Sequence, residues 1–230
     1  MIPTQKRKPD TALSRLVVTV YGKPKIGKST FASQFPGALF AATEPGLQCL
    51  EVFETPIHSW GGFLSLCGHL EKDPKWVETL VIDVVDLLYY MCQEHVCQQE
   101  GVKHPSDLSY GKGFSMLNTE FRRVLAKTAT LQTKAGKRMG LVMTSHAKEI
   151  EVDTRSGKHL QWSPSIGGSG RTIIEGMSDL LLFADMEGDT RVLRTTPHRN
   201  WIAGDRTGLL PPSVLLDYQE LKKALEGKVK

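Results

Sequence analysis

Residues 16–30 constrain this chain more than any other stretch. Residues 16–21 (LVVTVY) form a β-branched apolar run that leads directly into Gly22, Lys23, Pro24, Lys25, Ile26, Gly27, Lys28 and Ser29, with Thr30 following. The pattern is G-x-x-x-x-G-K-[ST], set between an expected strand and an expected helix running from Lys28 towards Phe35. Glycines at these positions let backbone N–H groups turn inward onto phosphate oxygens, and a helix starting there adds its positive end. In such a loop the lysine, Lys28, reaches the β- and γ-phosphates and the hydroxyl of Ser29 holds Mg²⁺. The segment from Gly22 to Thr30 is therefore expected to bind ATP, with Mg²⁺ as the accompanying ion.

Four more short apolar runs follow: Ala38–Ala42, residues 80–82 before Asp83, residues 140–144 and residues 179–184. Continuous apolar runs bounded by turn residues suit strands covered on both faces, as in a parallel sheet. Phe114, Leu117, Phe121, Val124 and Thr128 recur at helical spacing between the third and fourth runs. Strands alternating with helices predict an α/β fold with a mostly parallel central sheet flanked by helices. Residues 190–195 and 200–203 read as a C-terminal antiparallel hairpin turning at Pro197. Leu215, Tyr218, Leu221 and Leu225 read as a last amphipathic helix. A length of 230 residues with 40% apolar content fits one domain over 14–230, behind a flexible basic N-terminus at 1–13. No apolar stretch is long enough to span a membrane, and basic residues near the start are followed by no signal core. With only four cysteines, the chain reads as soluble and cytoplasmic.

Three further positions fall at the ends of expected strands, where ligands of open α/β sheets gather. Asp83 ends the third strand and is expected to hold the magnesium shell; its plainer role is to cap the helix that follows. Asp86 is a weaker candidate for the same role and otherwise reads as a surface or capping residue. Glu44 follows the second strand and is placed either to orient or deprotonate a water or as an exposed turn residue before Pro45. His146 follows the fourth strand, as a γ-phosphate contact or as an ordinary packed histidine. Charge is unevenly spread. Residues 44–102 carry ten acids against two bases, and residues 103–158 carry eleven bases against five acids. That basic block suggests a local anion-binding face or a solvated helix surface.

The order of YGKPKIGKST, LFAATEPGL, TLVIDVVD and LVMTSHAKE resembles the core of RecA-type recombinases, and most of all the core-only RecA-like ATPases of phages, some of which anneal single strands. DLSYGKGF and WIAGDRTGLLPP are similar to the same group, so the resemblance spans about residues 14–212. It implies a RecA-like P-loop NTPase fold, with Glu44 as the catalytic glutamate and His146 in place of the usual γ-phosphate-sensing glutamine. It also implies a basic residue reaching into the neighbouring subunit's site, for which Arg199 is the first candidate among Arg191, Arg194 and Arg199. The partners implied are single-stranded DNA, further copies of the chain in a ring or filament, and a single-stranded-DNA-binding protein as a further candidate. The host cell's cytoplasm would be the location.

The resemblance places DNA on two mobile loops, about residues 98–114 and 148–171. These hold Lys112, Lys148, Arg155, Lys158 and Arg171 for phosphates and Trp162 for stacking on a base. The function expected is slow, DNA-stimulated ATP hydrolysis serving annealing or recombination. Two alternatives stay open: a P-loop kinase or NTPase acting on a small acceptor, and an assembly module controlled by ATP without DNA. Cys92, His95, Cys97 and His104 could hold zinc only with a local break in the helix, because Cys92 and Cys97 point to different helix faces; the plainer reading is semi-buried thiols on a core helix. Cys49 and Cys67 are expected in the core, and residues 205–208 are expected to form a structural turn with an internal ion pair.

Overall fold

The computed structural model describes residues 4–6, 8–154 and 157–227. The first half of the chain runs β1 (Val17–Gly22), α1 (Lys28–Ser33), β2 (Ala38–Ala42), β3 (Phe53–Pro56), α2 (Trp60–Lys72), β4 (Thr79–Asp83), α3 (Val85–Glu100) and α4 (Lys112–Thr128). The second half runs β5 (Gly140–Thr154), β6 (Gly157–Pro164), α5 (Gly170–Met177), β7 (Leu180–Glu187), β8 (Thr190–Arg194), β9 (Gly204–Asp205), β10 (Ser213–Leu215) and α6 (Tyr218–Glu226). The strands lie in the order β10-β8-β7-β1-β5-β4-β2-β3, with β6 on β5 and β9 on β7. Pairs among β1, β2, β3, β4, β5 and β7 are parallel, and the pairs made by β6, β8, β9 and β10 are antiparallel. This is the α/β class with a mostly parallel sheet that the apolar runs predict.

Alternation along the central strands explains why they need cover on both sides. Val17, Leu80, Ile82, Leu141 and Met143 face one layer, where Trp60 and Phe63 of α2, Leu88 of α3, Phe121 of α4 and Ile173 of α5 pack. Val18, Val20, Phe40, Val81, Val142 and Leu182 face the other, under Phe31 of α1 and Leu221 of α6. Each such side chain contributes about 1.5–3 kcal/mol by leaving water, so the two layers hold the strand register firmly. That register aligns the strand ends: Gly22 lies beside both His146 and Ala184, and Ala42 lies beside Asp83.

Several expectations are corrected. The second loop expected for DNA, residues 148–171, is mostly a long β-hairpin, with Ala147 opposite Pro164 and Thr154 opposite Gly157. Its sequence carries the period-2 signal of such a ribbon, since Ile150 and Val152 alternate with Glu149, Glu151 and Asp153. The hairpin placed at residues 190–203 is instead made by β7 and β8, with Glu187 opposite Thr190 across Gly188 and Asp189. Residues 200–203 form no strand there; Trp201 makes isolated bridges to Trp162 and His198. Leu215 lies in β10 rather than on the last helix, and Phe114 and Cys49 are exposed rather than in the core. Arg206 pairs with Asp179 at 3.1 Å, not with its neighbour Asp205. Cys92 and Cys97 are buried on α3 as expected, and no metal-ligating cluster occurs among the described residues. No helix among the described residues is long and apolar enough to cross a membrane.

Candidate functional site

The loop between β1 and α1 is fixed by two glycines. A Cβ on Gly22 would lie 2.7 Å from the carbonyl oxygen of Ala184 on the neighbouring strand, so no larger residue fits that close approach. Gly27 holds φ at 108°, in the left-handed region that L side chains rarely adopt, and it turns the chain into α1. Within this curve the Lys28 ammonium is buried and donates to the carbonyl oxygens of Gly22 (3.0 Å) and Lys23 (3.1 Å). Burial pulls the Lys28 pKa below the ordinary lysine value, and Asp83, Asp86 and Glu44 push in the opposite direction. Those three acids thus share the electrostatic environment of the lysine. Helix α1 has only six residues, so the cradle rests on the loop backbone and Lys28 more than on a long helix axis.

Asp83 is buried at the end of β4, where the Ser29 hydroxyl donates to its Oδ2 at 2.8 Å and the Thr144 hydroxyl donates to its Oδ1. Serine and carboxylate side by side, both hard oxygen ligands, form a donor set that suits Mg²⁺. Thr43 braces the same edge: its hydroxyl accepts from the Val84 N–H at 2.7 Å, and its own N–H donates to the Asp83 carbonyl at 2.8 Å. One residue on, Glu44 meets His146, with Nε2 3.3 Å from Oε1 and 3.5 Å from Oε2. Both side chains are about one-third exposed (34% and 35%), so they face the loop with access from solvent. The Nδ1 of His146 is buried and has no hydrogen-bond partner.

Asp86, which the sequence offers as a weaker candidate beside Asp83, stands differently from its plainer reading as a surface or capping residue. It is buried, not a surface cap, and it accepts from the Ser145 hydroxyl (2.6 Å) and from the His146 backbone N–H (2.8 Å). Burial pushes its carboxyl above the usual carboxylate range, with those two hydrogen bonds opposing. Asp86 therefore fixes the strand end that carries His146, one turn of α3 away from Asp83. An acid spaced three residues from another at a strand-to-helix junction was the available signal.

The remaining expected site residues are scattered. Arg199 is exposed on the segment between β8 and β9, with no ion pair among the described residues, whereas Arg191 on β8 lies against the loop: its guanidinium would be 3.4 Å from a Cβ on Gly27. Trp162 is half-buried, 6.2 Å from the Phe183 ring and with the Lys23 ammonium 4.7 Å over its face, so it joins the hairpin base to the phosphate loop. Arg171 turns back to Ser163 at 3.3 Å and Glu175 at 3.5 Å. Lys158 pairs with Glu151 at 2.6 Å and Lys112 with Glu100 at 3.7 Å, while Lys148 is half-buried at the start of the hairpin. Arg155 lies outside the described residues.

A family profile described as AAA domain matches residues 14–207, most of the chain and all of this site. The chain belongs to the AAA domain family. It is a P-loop NTPase of that family, and the matched span takes in Lys28, Ser29 and Asp83. A SPbeta prophage-derived uncharacterized protein of Bacillus subtilis (strain 168) is 28% identical over 102 residues, 42% of this chain. The match spans 32%, about a third, of that relative's length. Among solved structures, an ATPase from the type III secretion system of pathogenic bacteria is similar over 76% of this chain and 54% of its own, at 13% identity and a TM-score of 0.47. A KaiC-like protein from Pyrococcus horikoshii OT3 is similar over 81% of this chain and 80% of its own, at 13% identity and a TM-score of 0.45. The fold assignment rests on the strand order and register above.

Proposed function

We propose that the chain is a RecA-like ATPase that binds Mg·ATP, hydrolyses it slowly, and uses the β5–β6 hairpin to engage single-stranded DNA in annealing or recombination. The observation that carries this reading is the meeting of Glu44 and His146 at 3.3 Å beside the Lys28–Ser29–Asp83 cradle. When bound, Mg²⁺ would neutralise charge on the phosphate oxygens. Lys28 would exchange its two loop carbonyls for phosphate oxygens. Ser29 and Asp83 would hold the metal, and Glu44 Oε1 would orient a water and accept its proton. His146 Nε2 would release Glu44 to reach the outermost phosphate.

His146 immediately precedes the paired hairpin, and Lys23 of the phosphate loop covers Trp162 at its base, so two contacts would carry nucleotide state into the ribbon. Lys148 and Lys158 on the hairpin, and Arg155 from the sequence between them, would meet phosphates, and Lys112 at the start of α4 would add a further cation. Trp162 and Arg171 would act at the hairpin base. Arg199, exposed, would serve a neighbouring copy in a ring or filament. Likeness to a prophage-derived protein supports a phage setting.

A cavity of about 380 Å³ beside Glu44, lined also by Thr43, Leu47, Glu54 and His58, favours one alternative, a small acceptor held next to the catalytic carboxylate. Turnover measured with and without single-stranded DNA across a salt series tests the two. DNA stimulation that fades with salt, and that is lost in Lys148→Ala/Lys158→Ala, supports the DNA reading. Turnover indifferent to DNA at every salt concentration overturns it.

A further inference from the structure

A second charged region lies at the opposite edge of the sheet. Residues leading into three adjacent parallel strands, β1, β5 and β4, surround a hollow of about 260 Å³. Its rim holds Arg15, Lys75, Lys134, Lys137 and Arg138, against one acid, Glu78. These cations come from sequence positions far apart, and only the parallel register gathers them. The two arginines are fastened: Arg15 to Asp10 at 2.6 Å, and Arg138 to the Ala129 carbonyl at 2.9 Å and more loosely to Asp179 at 3.8 Å. Lys75, Lys134 and Lys137 are exposed and have no ion pair among the described residues. The hollow therefore keeps a surplus of positive charge that the fold itself does not use.

An exposed aromatic pair adjoins it. Trp76 lines the hollow and is 45% exposed, and Phe53, 63% exposed, braces the indole with ring centroids 4.2 Å apart. Two large apolar rings held together in solvent gain nothing for the core, since neither reaches either buried layer. Basic side chains around a braced, solvent-facing indole are the chemistry of single-stranded nucleic acid: cations neutralise phosphates and the aromatic face stacks on a base. An acidic peptide would answer the charge but leave the indole without a role. A hollow of this size admits one nucleotide's phosphate and sugar rather than an enclosed ligand.

We propose that this N-terminal edge of the sheet is a binding site for single-stranded nucleic acid, with Lys75, Lys134 and Lys137 on phosphates and Trp76 under a base. The length of β1, six residues, separates it from the phosphate loop by about 20 Å at roughly 3.3 Å per residue. It is independent of the hairpin reading above, and the test separates them. Fluorescence anisotropy of labelled oligo-dT and oligo-rU of equal length, added to the full chain without ATP, reads binding directly. Trp76→Ala is expected to weaken binding about fivefold or more. Lys134→Ala/Lys137→Ala is expected to flatten the salt dependence by roughly 1.4 in log–log slope, about 0.7 for each cation lost. Comparable losses on both oligomers show a site that reads the shared backbone and base stack, and a loss on one alone assigns the site to that polymer. Binding that ignores both variants overturns the proposal. So does binding lost only in Lys148→Ala/Lys158→Ala, which would put the strand on the hairpin alone. Polyglutamate bound as tightly as the oligomers and indifferent to Trp76→Ala would make the partner an acidic protein segment and likewise overturn it.

Discussion

Lys28, Asp83 and Asp86 at one edge of the sheet are nearly removed from solvent, at 7%, 5% and 5% exposure, whereas Lys75, Lys134 and Lys137 at the other edge stand in water. The buried set is fully engaged: lysine to loop carbonyls, Asp83 to Ser29 and Thr144, Asp86 to Ser145 and His146. The exposed set has no ion pair among the described residues. Burying an ion costs several kcal/mol unless it is partnered, so a cluster of buried charge persists only inside a network that holds each member in place. Exposed lysines carry no such cost and impose no geometry on their neighbours. The first edge is built to hold atoms at fixed positions; the second offers charge and a ring to a flexible partner.

Substitutions at the two edges should therefore differ in kind. Lys28→Ala should cut turnover by roughly 10²-fold or more, because it removes the one buried cation among the described residues, the group proposed to meet the phosphates; turnover near the wild-type rate would remove Lys28 from the site. Asp86→Ala should leave the Ser145 hydroxyl and the His146 N–H without a partner. That costs about 1–3 kcal/mol, and thermal unfolding should shift down by about 2–4 °C for each kcal/mol. An unchanged melting curve would mean that the network does not hold the strand end.

A smaller effect follows from pH. Binding an anionic nucleotide favours the ammonium form of Lys28, and burial has lowered its pKa from 10.5. Affinity should hold near neutrality and fall as pH rises through that depressed value, earlier than an ordinary lysine would allow. Titrations of nucleotide between neutral and alkaline pH check this, and a flat affinity up to the ordinary lysine range would contradict it. Smallest of all, Lys134→Ala/Lys137→Ala should change stability by no more than about 0.5 kcal/mol, as read from denaturant unfolding. A large loss there would show that the far edge is structural after all.

What could be read from the chain alone follows the range of the physics involved. Gly22 to Thr30 is a local pattern with its own strand and helix on either side, so residue order suffices to place it. Asp83 ends an apolar run, and that also is local. Glu44 and His146 are 102 residues apart; their shared place at strand ends left each with an ordinary alternative, and the resemblance to RecA-type cores is what put both at one site. The burial of Asp86 could not be read, because it depends on β5 returning over α3, which no window around residue 86 contains. The β5–β6 ribbon was readable in the alternation of Ile150 and Val152 with acids, but the resemblance placed a mobile loop there. The basic hollow was only partly legible: Lys134, Lys137 and Arg138 fall in the basic block at 103–158, but Arg15 and Lys75 join them only when the sheet brings their strands together.

The most direct measurement is ATP turnover by Glu44→Gln set against its nucleotide affinity. The carboxylate that faces His146 should account for about 10²–10⁴ of the rate, while the Lys28–Ser29–Asp83 cradle, untouched, keeps affinity within a few-fold of wild type. Turnover retained by Glu44→Gln would contradict the placement of catalysis at this edge.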